Sequence, residues 1–336
     1  MHYQNKIRTL EAIFGTKDIV CGPDSLTVGN KKYPVIDDVI ILSGPDKQSN
    51  FVRDRLNCKP GDLPASKTDD FARDIQYTFG EEWKGHDRIL PEHKEEFLQY
   101  FDIVDFASLK NASICDLGCG SGRWSYYLKD ICKEIILVDF SDAIFTARKN
   151  LKDADNCLFF MCDLKDLPFR DDFVSFLFCI GVLHHLPTPC LDEVRRLKRF
   201  AATLLIYLYY SLDNKPIYFR FILRAVTLLR LFLCRIKSPL FRKIFSLCTA
   251  LFLYMPSILL GRLLRPLNLS RFVPLYEAYH GKSLQRIRQD VYDRFFTRIE
   301  QRVSRREIRE LKDTFSDIIL SDNKPYWHFL CNKKIR

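Results

Sequence analysis

Asp116-Leu-Gly118-Cys-Gly120-Ser-Gly122-Arg-Trp124 is the segment of this chain whose residue types and spacing point most directly to chemistry. An acid ends a short apolar run, and three glycines at alternate positions then lead toward a helix. Glycines without a Cβ let backbone approach a ligand closely, and a helix start offers free N–H groups. A second acid, Asp139, ends the next apolar run, 19 residues after Gly120. A carboxylate placed there can accept both hydroxyls of a ribose. The pattern departs from the dinucleotide fingerprint, because the third glycine comes one residue early, at Gly122, and Arg123 stands where that fingerprint has glycine. Asp116 before the loop would repel a pyrophosphate, whereas a sulfonium or an ammonium group would be attracted. The alternatives are an unrelated Gly-rich turn and a dinucleotide site.

Two further positions follow the same logic. Asp163, after Cys157-Leu-Phe-Phe-Met-Cys162, can accept a hydrogen bond from an adenine amino group, or it can simply cap a turn. Gly181 follows the run Phe173–Ile180, at the carboxyl end where open α/β sheets bind ligands. His184 and His185 come next and are candidates for a catalytic base; a structural role, one packed and one bonded to backbone, stands beside that. No Cys or Glu partner lies near enough in sequence to make the two histidines a metal site, so no metal is expected.

These residues need a scaffold, and the chain reads as one from residue 112 to about 210. Short apolar runs alternate with helical segments, as in a parallel sheet buried on both faces. Ser304-Arg-Arg-Glu307 reads as a capping box, followed by a closing hairpin around Asn323-Lys-Pro325. At the other end, residues 1–45 read as a small β-rich unit with a Gly29-Asn30 turn, and residues 46–75 as a linker. The boundaries are then 76–210 for the core, 211–299 for an insert and 300–336 for the last helix and hairpin. The 12 cysteines form no CxxC pair, and the first residues lack an apolar stretch of signal-peptide length, so a cytoplasmic protein with reduced thiols is expected.

CDLGCGSGRW, VDFSDA, CDLKDLPF and IGVLHHLP resemble, in order and spacing, the motifs of class I methyltransferases that use S-adenosylmethionine, most closely the branch containing ubiquinone and menaquinone biosynthesis enzymes. The resemblance covers 112–210 and extends less specifically to 300–333. It implies an α/β, Rossmann-like, seven-stranded and mostly parallel sheet whose last strand is antiparallel, with helices on both faces. It also implies that Asp116, Gly118, Cys119 and Gly120 hold the methionine part, Asp139 the ribose, Phe140 one side of the adenine, Asp163 and Leu164 its edge, and Ile180 the site floor. Gln76–Trp83 is similar to a segment that precedes this domain in related bacterial enzymes and would cap the pocket, with plain packing of Phe79 and Trp83 as the alternative. Lys32–Leu42 weakly resembles the small Trm112 domains, although the cysteine pairs of that family are missing and only Cys21 remains.

The net charge of +10 is unevenly spread: Lys215–Arg271 holds 11 basic residues and no acidic one, so the rest of the chain carries −1. Ile244–Gly261 runs 18 residues without a charge, at the lower edge of spanning length, which is roughly 17 to 25 residues; Ser246, Thr249, Pro256 and Ser257 weaken a spanning reading. Three readings remain for this basic, apolar insert: a helical lid over the substrate, a membrane-surface lid for a lipid-like acceptor, or an RNA-binding face. The aromatics among Leu and Ile favour burial or lipid over RNA. The expectation is therefore methyl transfer to a small or lipid-linked molecule, with a membrane surface as a contact open to 215–271, a cytoplasmic location that extends to the periphery of the inner face of a membrane, and RNA less favoured. A tRNA-modifying enzyme and a non-catalytic scaffold of the same fold are the alternatives.

Overall fold

The computed structural model describes residues 3–58, 76, 80 and 88–334. The chain divides into two units, Met1–Tyr209 with Gln301–Arg336, and Tyr210–Glu300.

The first unit is built on strands β1 (Ile19–Cys21), β2 (Ser25–Val28), β3 (Lys31–Ile36), β4 (Val39–Ile41), β5 (Ser113–Leu117), β6 (Glu134–Asp139), β7 (Cys157–Met161), β8 (Val174–Ile180), β9 (Ala201–Tyr207), β10 (Phe315–Leu320) and β11 (His328–Lys333). They form one sheet in the order β1-β2-β3-β4-β7-β6-β5-β8-β9-β11-β10. β7, β6, β5, β8 and β9 run parallel to one another, and β11 lies antiparallel to both β9 and β10. This is the α/β, Rossmann-like arrangement read from the alternating runs, and its seven strands are those expected.

The sheet is nevertheless larger than seven strands. The β-rich start is not a separate unit: β1 to β4 form an antiparallel meander, and β4 pairs in parallel with β7, Val39 to Phe159 and Ile41 to Met161. The physical reason lies in β7. All five of its residues are buried, so its outer edge needs a partner rather than water. β4, itself buried throughout, supplies one. The β3–β4 turn is made by Asp37 and Asp38, both at positive φ, the geometry of a tight hairpin, which Asp tolerates better than most residues. Tyr3 fastens the addition, since its hydroxyl lies 2.5 Å from the Asp38 carbonyl and accepts the Phe159 N–H at 3.2 Å.

Helices cover the faces. α1 (Ile7–Phe14) precedes β1. α2 (Asn50–Arg55) lies inside the stretch read as a linker, and the Ser49 hydroxyl caps it by accepting the Val52 N–H at 3.2 Å. α3 (Glu92–Tyr100), α4 (Ser125–Leu128), α5 (Ala143–Asn150) and α6 (Cys190–Leu197) follow. One core cluster runs from Val39 and Val52 through Phe97, Phe101 and Trp124 to Phe178 and Leu330.

The second unit is helical: α7 (Ile217–Leu233), α8 (Pro239–Leu267) with a π-helical turn at Ala250–Tyr254, and α9 (Leu284–Phe296), around a core of Leu233, Ala250, Tyr254, Ile258, Val291, Phe295 and others. α10 (Arg305–Glu310) returns the chain to the first unit, opened by the Ser304/Glu307 capping box.

Candidate functional site

The loop after β5 is held down before it meets any ligand. Gly118 and Cys119 both donate their N–H to the Val138 carbonyl, at 2.7 and 3.1 Å, which pins the turn to the end of β6. Gly118 has φ +77, and a Cβ there would come within 2.4 Å of Val182. Only glycine fits, because the segment after β8 passes directly beneath. Gly181, φ +81, is different: among the described residues a Cβ would meet nothing within 4 Å at this turn, which lies at the carboxyl end of β8.

The two acids sit at neighbouring strand ends. Asp116 is fully buried and accepts the Ser125 hydroxyl at 2.7 Å. Burial, reinforced by the negative charge of Asp139, pushes its carboxyl up to about 7. Asp139 accepts the Gly120 N–H at 2.8 Å through one oxygen, and the N–H and hydroxyl of Ser141 at 2.8 and 2.7 Å through the other. Burial still leaves its carboxyl above the ordinary range. Two buried carboxyls side by side, both held above the ordinary range, form a site short of positive charge. A cationic ligand relieves that imbalance, so the donor set suits a sulfonium and an ammonium group. Cys119 is buried between the glycines, and burial pushes its thiol well above the usual range, which makes it a packing residue rather than a nucleophile.

Phe140 and Leu164 are half-buried, and Ile180 is buried at the end of β8. Asp163 is already engaged: one oxygen pairs with the Lys47 ammonium at 3.0 Å, and the other accepts the Lys165 N–H at 3.0 Å. Lys47 also pairs with Asp166. The Gln76 amide donates to the carbonyls of Lys47 and Phe140, at 3.1 and 3.0 Å, which brings the segment before the domain to the Asp139 end of the site. Of Gln76–Trp83, the rest of the resemblance, Phe79 and Trp83 included, lies outside the described residues apart from Gly80. Lys47 escaped the sequence reading because it lies more than a hundred residues before its partner, in a stretch rich in turn formers.

The histidines are both buried. Burial, with His185 and Arg302 nearby, holds the His184 ring well below the usual range, so it is neutral. Neither His184 ring nitrogen has a hydrogen-bond partner among the described residues. Its ring stacks on Tyr209, centroids 3.9 Å apart, and the Arg302 guanidinium lies over the same tyrosine at 5.3 Å. Gln301 locks the segment in place: its amide donates to the carbonyls of Leu186 and Thr188, both at 2.7 Å, and accepts the Cys190 N–H at 3.0 Å. Tyr209 and the adjacent Gln301 and Arg302 carried no motif, and the tyrosine lies far from the other two in sequence. Only the closing of the sheet brings them together.

Residues 115–206 match the methyltransferase domain family. The chain carries a class I methyltransferase domain. S-adenosylmethionine is the cofactor of such a domain, and the charge-starved Asp116 and Asp139 pair fits it. The family match does not extend to residues 1–45, where the Trm112 resemblance lies. Among curated relatives, the tRNA (carboxymethyluridine(34)-5-O)-methyltransferase alkbh8 of Xenopus tropicalis is 34% identical over 115 residues, 32% of this chain and 17% of that protein. The tRNA U34 carboxymethyltransferase of Campylobacter curvus is 22% identical over 158 residues, 45% of this chain and 51% of that protein. The chain thus spans about half or less of the curated relatives it matches. A solved methyltransferase from Aquifex aeolicus aligns at 22% identity and a TM-score of 0.34, over 39% of this chain and 73% of its own. These relatives correct one expectation. The acceptor was read as a small or lipid-linked molecule with RNA less favoured, yet both curated relatives are named for tRNA. That reading rested on the composition of the insert alone.

Proposed function

We propose that this chain is a methyltransferase that uses S-adenosylmethionine to methylate a modified uridine of tRNA. The observation that carries the proposal is that two relatives, from a frog and a bacterium, are both named for chemistry at the same tRNA nucleoside. Asp116, Gly118, Cys119 and Gly120 take the methionine part, Asp139 the ribose, Phe140, Asp163 and Leu164 the adenine, and Ile180 the floor. An adenine amino group at Asp163 shares that carboxylate with Lys47.

The cofactor supplies an already activated methyl group, so positioning matters more than acid–base help. A base is required only when the acceptor must lose a proton. A carboxylate on the nucleoside, as in the name of the frog relative, is already deprotonated and nucleophilic at neutral pH. That chemistry is compatible with a neutral, buried His184 that has no hydrogen-bond partner among the described residues. In this reading His184 and His185 shape the pocket and Tyr209 with Arg302 offers a flat, cationic surface on which an unstacked base can rest.

The test is to incubate the purified protein with S-adenosylmethionine and tRNA from a strain lacking the gene, then digest and examine the nucleosides by mass spectrometry. A uridine derivative heavier by one methyl group is expected, and the same nucleoside should be missing from the deletion strain. Unmodified tRNA under conditions where the protein binds S-adenosylmethionine rejects the acceptor.

A further inference from the structure

The Tyr210–Glu300 unit holds charged groups beside its apolar core and leaves large apolar residues outside. On α8 the stripe turned toward its neighbours is Arg242, Ser246, Ala250, Tyr254, Ile258 and Gly261, at helical spacing. Arg242 is 2% exposed, its guanidinium donating to the Ile236 carbonyl at 2.8 Å and lying over the Phe296 ring. The opposite face carries Leu240, Ile244, Phe252, Leu259, Leu263 and Leu267, with Phe252 79% and Leu263 73% exposed. α7 repeats the pattern, burying Arg230 in an ion pair with Glu300 at 3.2 Å while exposing Phe221, Leu228 and Phe232. The interior also holds Asp290, Arg294 and Tyr279 in one hydrogen-bonded group. In water a helix turns its apolar stripe inward and its charges outward. Charges inside and leucines outside is the arrangement suited to an apolar solvent.

We propose that this unit docks on an anionic lipid bilayer, sinking the outer faces of α7 and α8 into the headgroup–acyl boundary. Charge selects the occupant. Lys215–Arg271 has 11 basic residues and no acidic one, and Arg220, Arg224, Arg235, Lys237, Lys243 and Arg265 are exposed among or beside the apolar residues. Long cationic side chains there reach anionic headgroups while their stems lie along lipid. A second copy of the chain is disfavoured, since it would bring one acid-free basic face against another. RNA would leave the exposed leucines in water. α8 is long and apolar enough to cross a membrane by length and composition. It packs, however, on α9, where Gln285 is exposed and the charged Arg286 and Arg288 are half-buried, a side that belongs in water, so the unit lies on the surface rather than spanning it. The docking face is independent of the acceptor and says where the enzyme works, not what it methylates.

Co-sedimentation of the full chain with vesicles tests this. Mixed phosphatidylcholine–phosphatidylglycerol vesicles should take up at least about tenfold more protein than pure phosphatidylcholine. The exposed-site double variant Phe232→Glu/Phe252→Glu should lose that uptake while binding S-adenosylmethionine as the parent does. The proposal is overturned if the parent stays in the supernatant with anionic vesicles. Equal binding of the double variant overturns it too, because charge alone would then suffice. A stable parent dimer in light scattering that the double variant splits gives the face to a second copy and overturns it as well.

Discussion

Asp116 carries a cost in the unliganded protein. Its ordinary carboxyl value of 3.8 rises to about 7 on folding. A raised folded value means that the group's contribution to stability is full below about pH 4 and is lost as pH climbs toward about 7. Asp116→Asn should therefore stabilise the unliganded protein at pH 8, by about 4 kcal/mol, and change little at pH 4. Chemical denaturation at the two pH values measures this. With Asp116 at the methionine part, as proposed, binding moves the opposite way, because an ammonium group there needs the ionised acid. In calorimetry, S-adenosylmethionine affinity of the parent should rise between about pH 6 and about 7.5, and the Asn variant should bind weakly with no such rise. Asp139→Ala is expected to weaken cofactor binding roughly 10- to 100-fold, the range for losing hydrogen bonds to a charged group; unchanged affinity would remove the ribose from that position. At this scale the sequence was most readable where chemistry forces local spacing. The glycines follow from one tight turn pinned to the Val138 carbonyl, and the two acids from the ends of adjacent parallel strands. Lys47 and Tyr209 were unreadable because their partners are set by the folded chain alone.

At the scale of elements, the alternation of apolar runs and helices from Ser113 to Tyr207 was legible because a two-sided parallel sheet imposes it on every strand. The Ser304/Glu307 capping box was legible because both its halves lie in one turn. The joining of the β-rich start to the sheet was not. Parallel pairing of β4 with β7 joins residues more than a hundred positions apart and leaves no periodic trace; its only sign was that Cys157–Met161 is apolar at every position. Tyr3 offers a way to weigh that junction. Its buried hydroxyl bridges the β3–β4 turn and β7, and burial raises it above the usual range. Tyr3→Phe removes the bridge and leaves the Phe159 N–H without it, which should cost about 1 to 3 kcal/mol in urea denaturation. A loss near zero would mean that β4 is held by its apolar side chains alone.

For the whole molecule, the decisive fact is where the chain leaves and re-enters the first unit. The Val303 N–H donates to the Tyr209 carbonyl at 2.9 Å, and the Gln301 N–H to the His184 carbonyl at 2.8 Å. The segment between is thus inserted at two adjacent points, a geometry that tolerates excision when a short flexible linker closes the gap. Residues 211–299 contain 16 basic and 4 acidic residues, so replacing them with a Gly/Ser linker takes the formal charge from +10 to −2. None of the residues assigned to the cofactor lies in that segment. The shortened protein should remain folded and hold S-adenosylmethionine within about threefold of the parent, since less than about 1 kcal/mol separates the two. Its affinity for tRNA should fall, and the decline of that affinity with rising salt should flatten, because fewer phosphate counterions are released by a protein stripped of its cationic surface. Titrating both proteins with tRNA across a salt series measures the slope directly. An unchanged slope would place every phosphate contact on the methyltransferase domain and leave the basic insert to the bilayer alone.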